Sequence, residues 1–256
     1  MLGSDALVAR AGERLRLEAG ELLARSRRGA KALAEDFLPE SMVVFRGPEG
    51  RREPLSSLRR VLRRSNQRAA GVGRVALTFD DGPTSLTPQY LDVLERLGAR
   101  ATFFLIGELC AARPDLVRAI SERGHEIAGH GYTHRRFTTL SRAELIRELE
   151  RTRALLPQAT GERELVRPPY GAVSLPSLLA CAHAGFTSVL WSLNSFDWRL
   201  QNAHDVETGF ASQAICPGEI VLLHEGQSWT MNALPAIVGS LRQAGHELVT
   251  VGELLA

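Results

Sequence analysis

From residue 73 onwards, short apolar runs and capped helical stretches take turns, and this alternation leaves the chain few architectures. The runs are 75–79, 101–105, 126–128, 165–166, 187–191, 220–223 and 248–251. Their length and bounding turn residues predict strands, and the first reads as a buried one. Between them lie helices with recognisable ends. Thr87-Pro88 opens one, with proline suited to the first turn, Leu91, Leu94 and Leu97 as its buried face and Gly98 as its stop. Residues 114–123 predict a second that halts at Gly124, and Ser141-x-x-Glu144 is a capping box opening a third through Leu156. Gly185 and Gly245 each end a helix directly before a strand. Strands alternating with helices predict an α/β protein with parallel strands and helical crossovers. Seven such units favour a barrel over an open doubly wound sheet, and no glycine-rich phosphate loop follows the first strand.

Upstream the texture differs. Residues 5–38 are rich in Ala, Leu, Glu and Arg, with Val8, Leu15, Leu22 and Leu23 on one helical face. One long or two shorter amphipathic helices are expected there, followed by a short strand at 42–45. Residues 51–68 hold seven Arg and one Glu, with Arg59, Arg60, Arg63 and Arg64 lining one helical face. Residues 1–70 carry 15 Lys+Arg against 9 Asp+Glu, a net +6, and the remainder carries 16 against 20, a net −4. The expectation is a helical, Arg-rich accessory segment over 1–70 ahead of a main domain over 71–256. Its basic face suits an anionic surface or a partner protein. No aromatic residues interleave with these arginines, so no nucleic-acid partner is expected. The chain shows no signal peptide and no transmembrane stretch, which makes a cytoplasmic location the default. Cys110, Cys181 and Cys216 are odd in number and far apart, and are read as free thiols.

Polar residues gather at the predicted carboxyl ends of the strands, the face that carries the active site in parallel barrels. The first strand runs into Asp80-Asp81-Gly82-Pro83. Adjacent side chains on a strand normally diverge, but a strand entering a Gly-Pro turn can send both acids into one cleft. Two carboxylates so close repel, and a bound cation is the usual remedy. His130 and His134 follow the third strand at a spacing that puts both imidazoles on one face of a helix or a tight turn. Two histidines and a carboxylate with open positions suit a catalytic divalent metal. Arg167-Pro168-Pro169-Tyr170-Gly171 follows the fourth strand, Asp197-Trp198 the fifth, and His224 ends the sixth.

Taken together these segments resemble the polysaccharide deacetylases, carbohydrate esterase family 4, also called the NodB homology domain. Thr78-Phe79-Asp80-Asp81-Gly82-Pro83, His130-Gly131-Tyr132-Thr133-His134, Arg167 to Gly171, Asp197-Trp198 and Leu222-Leu223-His224 match its five motifs in order over residues 72–256. The resemblance implies a distorted seven-stranded (β/α) barrel that removes N-acetyl groups from an amino-sugar polymer or oligomer and releases acetate. Peptidoglycan, chitin-like and other surface glycans all stand as substrates. It further implies that Asp81, His130 and His134 hold a divalent metal, most often Zn²⁺, with Co²⁺, Mn²⁺ or Ni²⁺ as alternatives. Asp80 would be the general base, held ionised by Arg167, His224 the general acid, and the Tyr170 backbone N–H an oxyanion donor. Pro169, Tyr170 and Trp198 would meet the sugar. The chain departs from the pattern at Gly131, where a hydroxyl residue is usual, and at Asn194, where an acid often stands. Either Asn194 or Asp197 would orient His224. Two other readings stand beside this one: a hydrolase of small amides or ureides on the same fold, and a carbohydrate-binding relative without activity.

Overall fold

The computed structural model describes residues 42–43, 73–157 and 164–256. The helices expected over 1–70, and the arginine face of 51–68, lie outside the described residues. All seven predicted runs are strands, and two two-residue strands join them. In chain order they are β1 (Met42–Val43), β2 (Gly73–Gly82), β3 (Thr102–Leu105), β4 (Glu126–Gly129), β5 (Glu164–Val166), β6 (Phe186–Val189), β7 (Leu193–Asn194), β8 (Ile220–His224) and β9 (His246–Val249). Every pairing is parallel, and the order is β1-β6-β5-β4-β3-β2-β8-β7. β9 pairs with the first residues of β2, Gly73–Ala76, while β8 pairs with Ala76–Asp80. The result is a curled sheet, a distorted barrel whose path ends at β1 on one side and β7 on the other.

Burial on both faces explains why these strands are apolar without alternation. Val75 to Phe79 are all fully buried, as are Phe103, Phe104 and Leu105 in β3. Phe79 stacks on Phe103 at 5.1 Å and meets Tyr90 edge-on at 5.5 Å, joining the sheet to helix α1 (Thr87–Arg96). Tyr90, Leu91 and Leu94 are its buried stripe. The crossover after β3 is a pair of helices, α2 (Gly107–Ala112) and α3 (Pro114–Glu122). Ser141 and Glu144 make both bonds of their capping box at the start of α4 (Arg142–Arg153). Helices α5 (Leu175–His183), the single turn α6 (Asp197–Leu200), α7 (Ala203–Ala211), α8 (Ser228–Gln243) and α9 (Val251–Leu255) complete the cover. Gly185 and Gly245 stand just past helix ends at φ 85° and 80°, in the left-handed region that glycine enters without a Cβ clash.

Several boundaries shift by a residue or more from expectation, two of them for a clear local reason. β2 continues through both aspartates to Gly82, because the ladder to β3 resumes at Gly82 after skipping Asp81. β9 stops at Val249, because Thr250 caps α9 by accepting from Glu253 N. The third helix ends at Arg153 rather than Leu156. Cys110 and Cys181 are buried free thiols, and Cys216 is half-buried and also free. No helix among the described residues is long and apolar enough to cross a membrane.

Candidate metal centre and its cleft

The irregularity in β2 builds the site. Asp80 keeps its place in the ladder, beside Phe104 of β3 and His224 of β8. Asp81 is the extra residue of a bulge and sits at φ 70°. That backward turn points two consecutive carboxylates into one cleft, which a regular strand would forbid.

Asp80 is 3% exposed and Arg167 is fully buried. The guanidinium donates to Asp80 Oδ1 at 2.6 Å, to Thr78 Oγ1 at 2.8 Å, and to the carbonyls of Leu190 and Val189 at 3.0 and 3.3 Å. Its flat face lies 3.9 Å from the Phe104 ring centroid. The group makes four hydrogen bonds to protein and none of it reaches the surface, so Arg167 is not a surface arginine. The ion pair is fixed in place, and removing either partner would strand a buried charge at a cost of about 3–5 kcal/mol.

His130 follows β4, and its Nδ1 hydrogen-bonds the Arg167 carbonyl at 2.8 Å. A proton on Nδ1 leaves the Nε2 lone pair facing the cleft. Burial lowers the pKa of His130 against the pull of Asp80 and Asp81, which favours this neutral form. His134 comes round without a helix: residues 130–136 form a tight turn with Gly131 at φ 77° and His134 at φ 56°. The two rings stand 5.0 Å apart. Asp81 Oδ1 is 3.5 Å from His130 Nε2 and 3.2 Å from His134 Nε2. One ligand atom from each of the three residues falls within 4.8 Å of the others.

These residues fit a divalent cation on the chemistry of their donor atoms. Asp81 Oδ1 is buried without a hydrogen-bond donor. It faces a nitrogen that offers a lone pair, and acceptors brought together in this way are stabilised by a metal between them. Burial alone would raise the Asp81 pKa, but the nearness of His134 and the charge its neighbouring imidazoles bring when protonated lower it to about 2.

Two further glutamates support the centre, and sequence reasoning assigned a role to neither. Glu148, only 8% exposed, accepts from Tyr132 N, Thr133 N and Thr133 Oγ1, each at 2.8 Å. It holds the turn between the two histidines from below. Its signal was present: Glu148 falls on the buried stripe of α4 with Leu145, Leu149 and Thr152, where a charge needs partners. Glu225 accepts from Thr84 N at 3.0 Å, from Thr84 Oγ1 at 3.1 Å and from Thr87 Oγ1, and its own N–H donates to the Asp80 carbonyl at 2.8 Å. A Cβ at Gly82 would collide with its carboxylate, so the bulge and the strand beside it are fitted to each other.

On the far side of the cleft His224 Nδ1 meets Asp197 Oδ1 at 2.8 Å. Asp197 is fully buried and also accepts from the backbone N–H groups of His224 and Trp198 and from Thr230 Oγ1, at 2.7, 2.8 and 2.8 Å. Burial opposes charge on His224, but the Asp197 hydrogen bond and negative charge outweigh it, with Asp80 and Asp81 adding, and its pKa is raised. Asn194 is occupied elsewhere: its Oδ1 accepts from Phe196 N at 2.8 Å. Of the two candidates, Asp197 is the one that contacts the histidine.

Tyr170, at φ 61° and 57% exposed, lays its ring 4.7 Å from that of His134, and Trp198 is 50% exposed. Pro169 is buried beneath. Trp191 is half-buried and fills the space beside Gly171, where a Cβ would come within 2.7 Å of its ring.

Fold and site together define a parallel (β/α) barrel protein that presents a two-histidine, one-aspartate ligand set at the carboxyl ends of its strands. The chain belongs to the polysaccharide deacetylase family, whose model matches residues 67–189. It is 34% identical over 212 residues to a chitooligosaccharide deacetylase of Bradyrhizobium, covering 75% of this chain and 95% of that one. It is 36% identical over 183 residues to the peptidoglycan-N-acetylglucosamine deacetylase PgdA of Listeria monocytogenes. That match covers 71% of this chain, which spans only 38% of the length of the relative. Among solved structures, the family 4 carbohydrate esterase of Streptomyces lividans in complex with acetate superposes with a TM-score of 0.64 at 35% identity, over 69% of this chain and 92% of that one.

Proposed function

We propose that the chain is a metal-dependent hydrolase that removes N-acetyl groups from amino-sugar polymers or oligomers and releases acetate. The observation that carries this reading is the asymmetry of the cleft. The Asp81, His130 and His134 ligand atoms lie between a carboxylate pinned by a cation, Asp80 on Arg167, and an imidazole backed by a carboxylate, His224 on Asp197.

Asp81, His130 and His134 would hold the cation, and two imidazoles with one carboxylate suit Zn²⁺, with Co²⁺, Mn²⁺ or Ni²⁺ as substitutes. When bound it would polarise the amide carbonyl and acidify a water. Asp80 would take the proton of the water whose oxygen attacks the carbonyl carbon. Arg167 pairs with Asp80 and holds its carboxylate immobile for that task. As the C–N bond breaks, His224 Nε2 gives a proton to the departing nitrogen, which would otherwise leave as an amide anion. Asp197 holds Nδ1 and so aims Nε2 into the cleft. Acetate and a free sugar amine result, and the Tyr170 N–H would stabilise charge on the former carbonyl oxygen.

Relatives that act on peptidoglycan and on chitooligosaccharides support a glycan substrate. The exposed rings of Tyr170 and Trp198 supply apolar faces of the kind that stack on sugars, and they favour a polymer over a small amide or ureide. Acetate release from a panel of acetylated glycans, with and without added Zn²⁺, tests the activity. Asp80→Asn should abolish turnover and keep the metal, whereas Asp81→Asn should lose metal. Equal metal loss in the two variants would overturn the division of roles.

A further inference from the structure

We propose that Arg136 forms a carboxylate-binding subsite beside the metal centre, so that the preferred substrate carries an anionic group on a sugar next to the one that is deacetylated. This rests on the deacetylase reading above and narrows its substrate class.

The guanidinium of Arg136 lies 4.3 Å from the ring centroid of Tyr170. That ring in turn stands 4.7 Å from the imidazole of His134, so the cation is one aromatic ring removed from a metal ligand. Arg136 is exposed, and among the described residues it has no carboxylate partner. Its neighbour Arg135 does have one, Glu144 at 3.7 Å. The acids closest to the cleft are committed to other partners: Asp80 to Arg167, Glu148 to the 132–133 turn, and Asp197 to His224.

An unpaired arginine on a surface is ordinarily a solvated charge. Two features set this one apart. Stacking on Tyr170 restrains the planar group against a ring that is itself held at φ 61° between Pro169 and Gly171. A guanidinium stacked by its face keeps its N–H edges free, and that fork matches a carboxylate with two parallel hydrogen bonds. A neutral sugar offers only hydroxyls to the same edge, with no charge to answer. Chitooligosaccharides are neutral, whereas a peptidoglycan strand freed of its stem peptides carries lactyl carboxylates on alternate sugars. Arg136 therefore favours a glycan of the second kind, at a distance from the centre that suits a neighbouring sugar.

The test compares two oligomers of equal length, one bearing a lactyl carboxylate on the sugar beside the reacting N-acetylglucosamine, the other with that carboxylate converted to its amide. Acetate release and calorimetric binding are both measured on the full chain with Zn²⁺ bound. The expected preference for the acid form is about three- to tenfold in kcat/KM, as an exposed ion pair of good geometry allows, and it should appear in KM and in affinity. It should shrink as salt is raised. Arg136→Gln should bring the ratio close to one, and Arg136→Lys should restore part of it. An undiminished ratio in Arg136→Gln would overturn the proposal. So would a loss of equal factor on both oligomers, which would mark Arg136 as a support for Tyr170 alone. If neither oligomer releases acetate, the deacetylase reading itself fails, and the binding ratio still decides whether the subsite exists.

Discussion

Asp80 and Asp81 are neighbours in the chain and occupy unlike environments. Asp80 sits in the ladder, nearly fully buried, on a guanidinium; Asp81 bulges out of it at positive φ, with one buried oxygen that no hydrogen bond reaches. His134, Tyr170 and Phe196 share that left-handed backbone around the cleft, a conformation that costs non-glycine residues of order 1 kcal/mol or more each. Folding therefore holds several side chains in poses that serve the site. The same residue scale sets the pH dependence. In the proposed mechanism His224 acts while protonated, and Asp197 raises its pKa, so activity should persist above the usual histidine value before falling on the basic side. Asp197→Asn removes the charge that holds the proton and should move the basic limb down by about one pH unit or more. Asn194→Asp should leave the limb in place, since Asn194 hydrogen-bonds Phe196 N and not His224. A kcat/KM profile alongside NMR titration of the His224 ring checks both. An immobile limb in Asp197→Asn would rule out this pairing.

At the scale of elements, the centre depends on how α4 and β8 grip two short turns. Glu148 reaches from α4 into the turn between the histidines, and Glu225 reaches from the end of β8 behind Gly82. Each fixes a segment that carries one of the proposed metal ligands. Glu148→Ala should weaken metal binding about 10- to 100-fold, the usual range when a group that orients a ligand is lost. Competition with a chelator measures this directly, and unaltered affinity would show that the turn holds itself. Gly131 deserves the same logic. At φ 77°, with a Cβ position 3.2 Å from the Phe137 ring, it suits glycine better than the hydroxyl residue more usual at this point of the family pattern. Gly131→Ser should therefore lower stability, by about 1–2 kcal/mol in denaturant unfolding.

For the whole molecule, the notable pairing is the one at the edge. β1 lies beside β6 through Met42 and Val43, and residues Glu40–Ala256 form one compact unit. A cut at residue 70, where charge and texture change, would thus remove a strand from the sheet. A chain beginning at Glu40 should melt higher than one beginning at residue 71. A loss of roughly 1 kcal/mol would separate the two by about 2–4 °C at this size. Both should bind metal, because Asp81, His130 and His134 all lie downstream of either start. Coincident melting curves would show that β1 contributes nothing to the fold.

Much of this was legible in one dimension. Apolar runs spaced by capped helices determine parallel strands, since a run buried on both faces needs helices outside and side chains inside. Polar motifs placed after those runs determine that the candidate site lies at one end of the barrel, and the three residues whose ligand atoms converge there, Asp81, His130 and His134, are among them. Other features became visible only in three dimensions. The bulge at Asp81 depends on where β3 resumes pairing, and the pairing of His224 with Asp197 rather than Asn194 depends on the path of β7 and α6. Glu148, Glu225 and Arg136 act on residues up to 141 positions away in sequence. Local patterns report what a segment must bury. They carry no record of which distant segment completes a hydrogen bond or stacks on a ring, because those contacts exist only once the sheet has curled.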